Sequence, residues 1–147
     1  MPEKETLERA AEDKAEGKSS STQAGEFVRE EIEHVREGKH GARSAKQAIA
    51  IGLSKARRAG VKLPAPKKGT ASKETRKQAT RDLRKGKSPG KKKSVKRSRA
   101  TLKALKREGH SAASKTALSR QARSAAAKRS AASRSRSAKK AAKTRGK

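Results

Sequence analysis

The chain has 147 residues, with 43 Lys or Arg against 14 Asp or Glu, so its formal net charge is +29. Leu, Ile, Val and Phe together number only 15, and so low an apolar content with so high a net charge is typical of largely disordered proteins. This composition excludes a large core and an enclosed apolar pocket that could shift a pKa or exclude water. We therefore predict no enzyme, no catalytic residues and no small-molecule substrate.

The sequence contains no Cys, which excludes disulfides and thiolate metal sites. Its first residues are acidic and lead into no apolar run, so we predict neither a signal peptide nor a transit peptide. No stretch approaches the roughly 18 apolar residues of a membrane span. We expect a cytoplasmic protein without membrane contact.

The charge is divided unevenly along the chain. Residues 1–38 contain 11 acids and 6 bases, whereas residues 39–147 contain 3 acids and 37 bases. No acid follows Glu108. A long block of one sign repels itself and attracts a polyanion, so the second part of the chain predicts a polyanionic partner.

The first predicted element is a polar helix over residues 3–16 that ends at Gly17. The hydroxyls of residues 19–22 can cap a second helix, predicted over residues 23–37. This second helix is acidic, yet it carries an apolar face at helical spacing. That face is formed by Ala24, Phe27, Val28, Ile32 and Val35.

A third helix is predicted to begin after Ser44, because Ser44 and Gln47 have the spacing of a capping box. Small and apolar residues recur along one of its faces, and Gly60 followed by Val61 indicates a Schellman stop. The small residues on this face permit close approach by another helix. The face is formed by Ala45, Ala48, Ile49, Gly52, Leu53 and Ala56.

We predict that the second and third helices pair as a helical hairpin over residues 21–63, preceded by a polar charged helix and linker over residues 1–20. A folded unit of about 40 residues is below the usual size for independent stability. We therefore expect the hairpin to form a homo-oligomer or to fold on a partner.

Residues 64–147 consist mainly of Lys, Arg, Ala, Ser and Thr. Ala and Lys favour helix, but the bases surround every helical face, which argues against stable packing. The predicted fold class is therefore mostly α and disordered. It consists of a small two-helix hairpin followed by a long, basic, low-complexity and intrinsically disordered tail with transient helices.

An internal repeat is indicated at an offset of about 70 residues. We interpret part of the basic segment as a degraded, cationic copy of residues 4–44, with a weak helix over residues 100–107. The matching positions include residues 4–6 with 73–75, residues 17–19 with 86–88, and His40 with His110.

Three His residues are the only candidates for acid–base or metal chemistry. His34 and His40 could approach each other across the end of the second helix, whereas His110 lies far along the chain. One or two His on a carboxylate-rich surface are ordinary, so we predict no metal site and no cofactor. The acids nearest to this pair in sequence include Glu30, Glu33 and Glu37.

The basic segment gives the strongest functional signal. Duplex DNA presents one negative charge per about 1.7 Å of axis, and dispersed Lys and Arg bind it by releasing counterions, without sequence contacts. The sequence has one Phe and no Trp or Tyr, so it offers no aromatic platform on which the bases of a single strand could stack. We therefore predict duplex DNA as the partner, with RNA as an alternative. The predicted nucleic-acid-binding residues are Lys67, Lys68, Lys91, Lys92, Lys93, Lys96, Arg97, Arg99, Lys103, Lys106, Arg107, Arg120, Arg123, Lys128, Arg129, Arg134, Arg136, Lys139, Lys140, Lys143, Arg145 and Lys147.

The basic segment resembles the tails of linker histone H1 and of bacterial histone-H1-like nucleoid proteins. The resemblance is compositional and is clearest in residues 88–93, 125–128 and 137–143. It implies non-specific DNA binding and compaction. The winged-helix domain of H1 has no counterpart in this sequence.

Residues 23–60 resemble a small bacterial domain family of unknown function. The similarity is most specific in residues 46–57, which follow a Lys-Gln-Ala-Ile-Ala-Ile-x-Leu-Ser-x-Ala-Arg motif. Gly52 stands where the family usually has Ala. This resemblance implies a shared domain but no activity.

From these features we predict a bacterial, nucleoid-associated architectural protein that binds duplex DNA without sequence specificity and neutralises and compacts it through a cationic tail. Two alternatives stay open. One is an RNA-binding or ribosome-associated basic protein. The other is a protein-interaction adaptor in which the second helix recruits a partner and the tail only localises it.

Overall fold

A computed structural model describes residues 1–88 and 94–146. In these two ranges the chain forms α-helices and one 3-10 turn, and its only β pairing is an isolated bridge between Lys68 and Ala71. The helices are α1 (Lys4–Ala15), α2 (Ser20–Arg36), α3 (Ala45–Arg58), α4 (Lys73–Gly86), α5 (Val95–Lys106), α6 (Lys115–Ala127) and α7 (Ala131–Arg145), and the 3-10 turn is Ser111–Ala113.

The predicted fold class, a two-helix hairpin with a long disordered tail, is wrong. Four helices, α4 to α7, occupy most of the segment expected to be intrinsically disordered. Each begins at a Ser whose hydroxyl oxygen accepts a hydrogen bond from a backbone N–H three residues later, at 3.1–3.4 Å. Such caps stabilise a helix by about 1 kcal/mol, and the Ala, Lys and Arg that follow have high helix propensity. The four capping residues are Ser72, Ser94, Ser114 and Ser130.

The signals for the third helix are confirmed. The hydroxyl of Ser44 accepts a hydrogen bond from the Gln47 N–H at 3.2 Å. At the other end, Gly60 has a φ of 100°, and the Val61 N–H donates to the Ala56 carbonyl at 3.1 Å. This six-to-one bond is the mark of a Schellman stop, so local sequence alone fixes both ends of α3.

Two groups of buried side chains form the core. The first group joins α1, α2 and α3 and contains Ala10, Ala24, Phe27 and Ala56. The second joins the end of α2 and the start of α3 to the 3-10 turn, so it includes residues from far along the chain. Its buried members are Ile32, Val35, Ala42, Ala48, Ala112 and Ala113. The hairpin is therefore completed by α1 on one side and by the 3-10 turn on another.

Gly52 sets the distance between α2 and α3. A Cβ added at this position would lie 2.6 Å from the Cα of Val28 and 2.9 Å from the carbonyl oxygen of Phe27. Both are backbone atoms of α2, which cannot rotate away as a side chain could. The two helices can therefore pack this closely only because position 52 has no side chain.

Replacing Gly52 with Ala is expected to lower the free energy of unfolding by about 1–2 kcal/mol, because overpacking outweighs the gain in helix propensity. The matched control is Gly25→Ala, which lies inside α2 with nothing within 4 Å of its added Cβ. That variant should gain up to about 1 kcal/mol. Urea unfolding of both proteins is the measurement, and a stabilised Gly52→Ala variant would contradict the close packing described here.

The α4 helix packs against α3, which belongs to the first half of the chain (residues 1–66). Ala79 and Asp82 are buried in this contact, and Asp82 accepts hydrogen bonds from Arg58 and Ser54, each at 2.7 Å. A Cβ on Gly86 would lie 2.1 Å from the carbonyl oxygen of Arg57, so this end of α4 touches the α3 backbone. A segment predicted to be tail therefore contributes to the folded unit.

A second connection joins the turn between α2 and α3 to the end of α5. The Gly41 N–H donates to the Leu105 carbonyl and the Ala42 N–H to the Gly109 carbonyl, both at 3.0 Å. A Cβ on Gly41 would lie 1.9 Å from the carbonyl oxygen of Glu108. Backbone thus meets backbone directly at this point.

The starts of two helix pairs follow the spacing of the proposed repeat, whereas those of α2 and α5, at Ser20 and Val95, do not. The first helices of the two halves, α1 and α4, begin at Lys4 and Lys73, and the third helices, α3 and α6, begin at Ala45 and Lys115. Packing differs between the halves, because α1 rests on the helix that follows it whereas α4 rests on the helix that precedes it. The duplication itself stays a prediction.

Among the residues that the structure describes, no helix combines the length and the apolar character needed to cross a membrane.

Candidate nucleic-acid interface

The basic residues of the first half are largely paired with acids. Lys18 lies 2.8 Å from Asp13, and Arg9 lies 2.8 Å from Glu26. Asp13 is buried and Arg9 and Glu26 are half-buried, and these pairs neutralise positive charge at α1 and at the start of α2. The acids of residues 1–38 thus pair mainly with bases of the first half.

A buried group of charges ties α2 to α3. The Nζ of Lys55 lies 3.0 Å from Glu30 and 2.6 Å from Glu31, and both carboxylates are about 1% exposed. Burial alone would raise the pKa of Glu30, but hydrogen bonds from the Glu3 N–H, from Lys55 and from Thr6 outweigh it and hold the pKa below its ordinary value. Burial likewise opposes the charge of Lys55, and the two carboxylates raise its pKa. Lys55 therefore stabilises the contact between α2 and α3.

The second half has few acids, and two of them pair with bases of the first half. Asp82 pairs with Arg58 at 2.7 Å, and Glu108 lies 3.7 Å from Arg43. Within residues 67–88 and 94–146, no Lys or Arg lies within 4 Å of a carboxylate oxygen. The cations of helices α4 to α7 therefore have no counter-charge within the part of the protein that is described.

The α4 helix separates its charge from its packing surface. Ala79 and Asp82 face α3, and the bases lie on the other side. These bases are Lys73, Arg76, Lys77, Arg81 and Arg84, of which Arg76 is half-buried and the others are exposed, and a sixth base, the exposed Lys85, lies at the edge of this face. Sequence analysis did not include them among the binding residues. The sequence could have indicated them, because bases recur every three or four residues on the side of the helix away from Ala79 and Asp82.

The α5 helix presents a second basic stripe. Its bases recur at three- to four-residue steps, which places most of them on one helical face, with Arg97 to one side. Every one of them is exposed, as are the neighbouring Val95 and Leu102. The stripe is formed by the predicted residues Lys96, Arg99, Lys103, Lys106 and Arg107.

The last two helices carry the remaining predicted bases. In α6, Arg120 and Arg123 line a shallow hollow together with Lys115, which sequence analysis also omitted. In α7, one stripe at the spacing i, i+3, i+4 and i+7 is formed by exposed bases, while Arg134 and Arg145 lie on the opposite side. The stripe consists of Arg136, Lys139, Lys140 and Lys143.

The other predicted residues lie between helices or outside the described ranges. Lys67 and Lys68 are exposed in the loop before α4. Lys128 and Arg129 lie between α6 and α7, where Arg129 donates hydrogen bonds to Ser133 at the start of α7. Lys91, Lys92, Lys93 and Lys147 fall outside the described residues.

The one aromatic side chain is unavailable for stacking. Phe27 is 1% exposed and lies in the core group shared by α1, α2 and α3. Proteins that hold single strands without sequence preference usually stack bases on exposed aromatic rings. The exposed surface of α4 to α7 instead offers cations and hydroxyls, which recognise phosphates.

The structure places the two predicted His neighbours together. The rings of His34 and His40 meet edge to face, with centroids 6.0 Å apart. The acid in contact with His40 is Glu31, whose Oε1 lies 2.9 Å from Nε2 of His40. All three acids named from the sequence pair with bases instead, Glu30 with Lys55, Glu33 with Arg29 and Glu37 with Lys39.

Comparison with known proteins finds one match to a domain family. Residues 13–68 match the model of a family of unknown function (DUF6496). The match runs from the end of α1 through α2 and α3 into the loop before α4, and it confirms the resemblance to a domain family of unknown function predicted from residues 23–60. No curated protein and no solved structure matches the chain, so the resemblance to histone-like tails receives no support.

Proposed function

We propose that this protein binds duplex DNA without sequence specificity and acts as an architectural protein that neutralises and compacts it. The observation that carries the proposal is the division of charge. Most bases of the first half are paired with acids, whereas the described bases of α4 to α7 have no carboxylate partner and lie mainly on exposed helical faces.

The spacing of these bases suits a phosphate backbone. Side chains three or four residues apart on a helix lie about 5–6 Å from each other at their Cβ atoms, so each stripe can contact several phosphates at once. Each phosphate contact releases counterions, and the resulting affinity does not depend on base sequence. Four cationic helices on one chain offer more than one surface for DNA, which favours bridging and compaction of duplex segments.

Duplex DNA is favoured over single-stranded RNA because the exposed faces lack aromatic rings. Long Lys and Arg side chains on rigid helices match the regular phosphate rows of a duplex, whereas single strands gain about 1–3 kcal/mol per base from aromatic stacking. A protein that binds duplex DNA in this way would be located with chromosomal DNA in the nucleoid.

The test is a binding titration with labelled duplexes of equal length and unrelated sequence. We expect the dissociation constants to agree within a few-fold, and light scattering to show condensation of long DNA as the protein is added. Unstructured single-stranded RNA of equal charge should compete less well than duplex DNA. Strong preference for one duplex, or tighter binding to the RNA, would contradict the proposal and favour a sequence-specific or an RNA-binding protein respectively.

A further inference from the structure

A cluster of three metal-ligating side chains lies where α2 ends, apart from the basic helices. Glu31 and His34 lie one helical turn apart on α2, and His40 follows in the turn towards α3. One ligand atom from each of the three lies within 4.8 Å of the others. Glu31 is about 1% and His40 about 8% exposed, so the cluster is enclosed by protein.

The hydrogen-bond partners of His40 are compatible with a bound cation. Its Nδ1 lies 3.1 Å from the carbonyl oxygen of Gly41, and its Nε2 lies 2.9 Å from Oε1 of Glu31. Both partners are acceptors, so a neutral imidazole with its one N–H can satisfy only one of them, whereas an imidazolium or a metal-bound imidazole can satisfy both. A metal ion on Nε2 would satisfy both contacts, because Nδ1–H would donate to the carbonyl while Nε2 and Oε1 bind the metal. A carbonyl on the non-ligating nitrogen is the usual support of a metal-binding His.

One of the three ligand distances is close to the value that a zinc ion requires, and the other two lie within 4.8 Å. Bonds of about 2.0–2.1 Å place two tetrahedral ligands about 3.3 Å apart, so the gap of 2.9 Å between His40 and Glu31 must open by only a few tenths of an ångström. Lys55 holds the other oxygen of Glu31 at 2.6 Å and so orients the carboxylate. Glu3 lies 2.8 Å from Nε2 of His34, which brings a second carboxylate next to the cluster.

We propose that Glu31, His34 and His40 form a binding site for one divalent transition-metal ion, with Zn²⁺ as the ion that best fits two imidazoles and one carboxylate. The role is structural. The ion would fasten the end of α2 to the turn that also donates backbone hydrogen bonds to the end of α5 through Gly41 and Ala42. Metal binding would thus stabilise the connection between the two halves of the chain.

The experiment uses the full chain without a histidine tag, treated with nuclease, purified by cation exchange at high salt and stripped with a chelator. Co²⁺ is then titrated as a spectroscopic probe, and Zn²⁺ is added to displace it. We expect one Co²⁺ per chain, with the visible absorption of a tetrahedral site with nitrogen and oxygen ligands, and an increase in Tm on adding Zn²⁺.

Two variants test the ligands, and the third His supplies a matched control. His34→Gln and His40→Gln should each weaken Co²⁺ binding by more than about tenfold, whereas His110→Gln, outside the cluster, should bind as the wild type does. Circular dichroism shows whether the variants are folded. The number of Co²⁺ ions bound by the wild-type chain tests the site even where a variant does not fold. A folded wild-type chain that gives no such absorption, or equal binding by all three variants, would overturn the proposal.

Discussion

Replacing Lys55 with Met is expected to remove about 3–5 kcal/mol of unfolding free energy, because it leaves Glu30 and Glu31 buried without their cation. Single domains have only about 5–15 kcal/mol in total, so the variant should be largely unfolded at moderate temperature. Met retains most of the apolar stem of Lys55, which limits the change to the loss of charge and hydrogen bonds. Thermal and urea unfolding followed by circular dichroism give the measurement.

The matched control for this variant is Lys46→Met, an exposed position in the first turn of the same helix. Its stability should stay within about 0.5 kcal/mol of the wild type. Adding Glu31→Gln to Lys55→Met should recover part of the loss, since one stranded carboxylate is removed. If Lys55→Met were as stable as the control, the buried charges would not be what joins α2 to α3. A chelator is kept in all of these samples.

Neutralising the outward face of α4 is expected to have the largest effect on DNA binding. Changing its bases to Gln removes up to five phosphate contacts, and each contributes about 0.9 to the slope of log K against log salt. The slope should therefore fall by about 4–5, which corresponds to about 10²–10³ in the affinity lost between 50 and 200 mM salt. The substituted residues are Lys73, Arg76, Lys77, Arg81 and Arg84.

A pair of double variants separates unpaired bases from net charge. Lys73→Gln with Lys77→Gln removes two exposed bases without a carboxylate partner, whereas Lys4→Gln with Arg29→Gln removes two exposed bases paired with Glu8 and Glu33. Both double variants lower the net charge by two. Only the first should reduce the salt slope, by about 2. Equal slopes for the two would mean that net charge alone, and no particular surface, determines the binding.

These tests use substitutions because the structure makes deletions unsuitable. Removing residues 67–147 would take away Asp82 from α3 and Ala112 and Ala113 from the second core group. Removing residues 1–20 would uncover the face of α2 on which α1 packs. Either deletion would change the fold and the charge together.

The first three helices could be predicted from the sequence because their signals are local. Ser44, Gln47 and Gly60 specify the ends of α3, and the apolar spacing specifies the face of α2 around Phe27. The start of α2 lies at Ser20, three residues before the predicted one, because Ser19 is the residue that caps it. Capping and periodicity are properties of neighbouring residues, so they are visible without tertiary structure.

The packing of α4 could not be predicted because its support is non-local. The inward face of α4 consists of Ala79 and Asp82, which look like neither a core nor a site until Arg58 and Ser54 of α3 are placed beside them. In the sequence, Asp82 is a carboxylate surrounded by bases, and no neighbouring residue marks it as buried. Its burial depends on a partner 24 residues away.

The sequence predicted that the candidate interface is basic, but it did not predict all the helical surfaces that carry the bases. Sequence analysis named most of the exposed bases of α5 to α7, since these helices are basic throughout, but it named neither Lys115 of α6 nor the bases of α4, which are opposite a packed face. The Glu31–His40 contact was not predicted either. The acids named from the sequence were Glu30, Glu33 and Glu37, whereas the fold brings Glu31 and the following turn to the same side.

The two-sided character of α4 has a consequence for how such a protein could evolve. Ala79 and Asp82 hold the helix in place, so substitutions on the opposite side change the surface potential without disturbing the packing. Mutations between Lys, Arg, Gln and Ser at those outward positions keep helix propensity within a few tenths of a kcal/mol of one another. Affinity for a polyanion could therefore drift up or down in small steps under selection, one base at a time, while the fold stays the same.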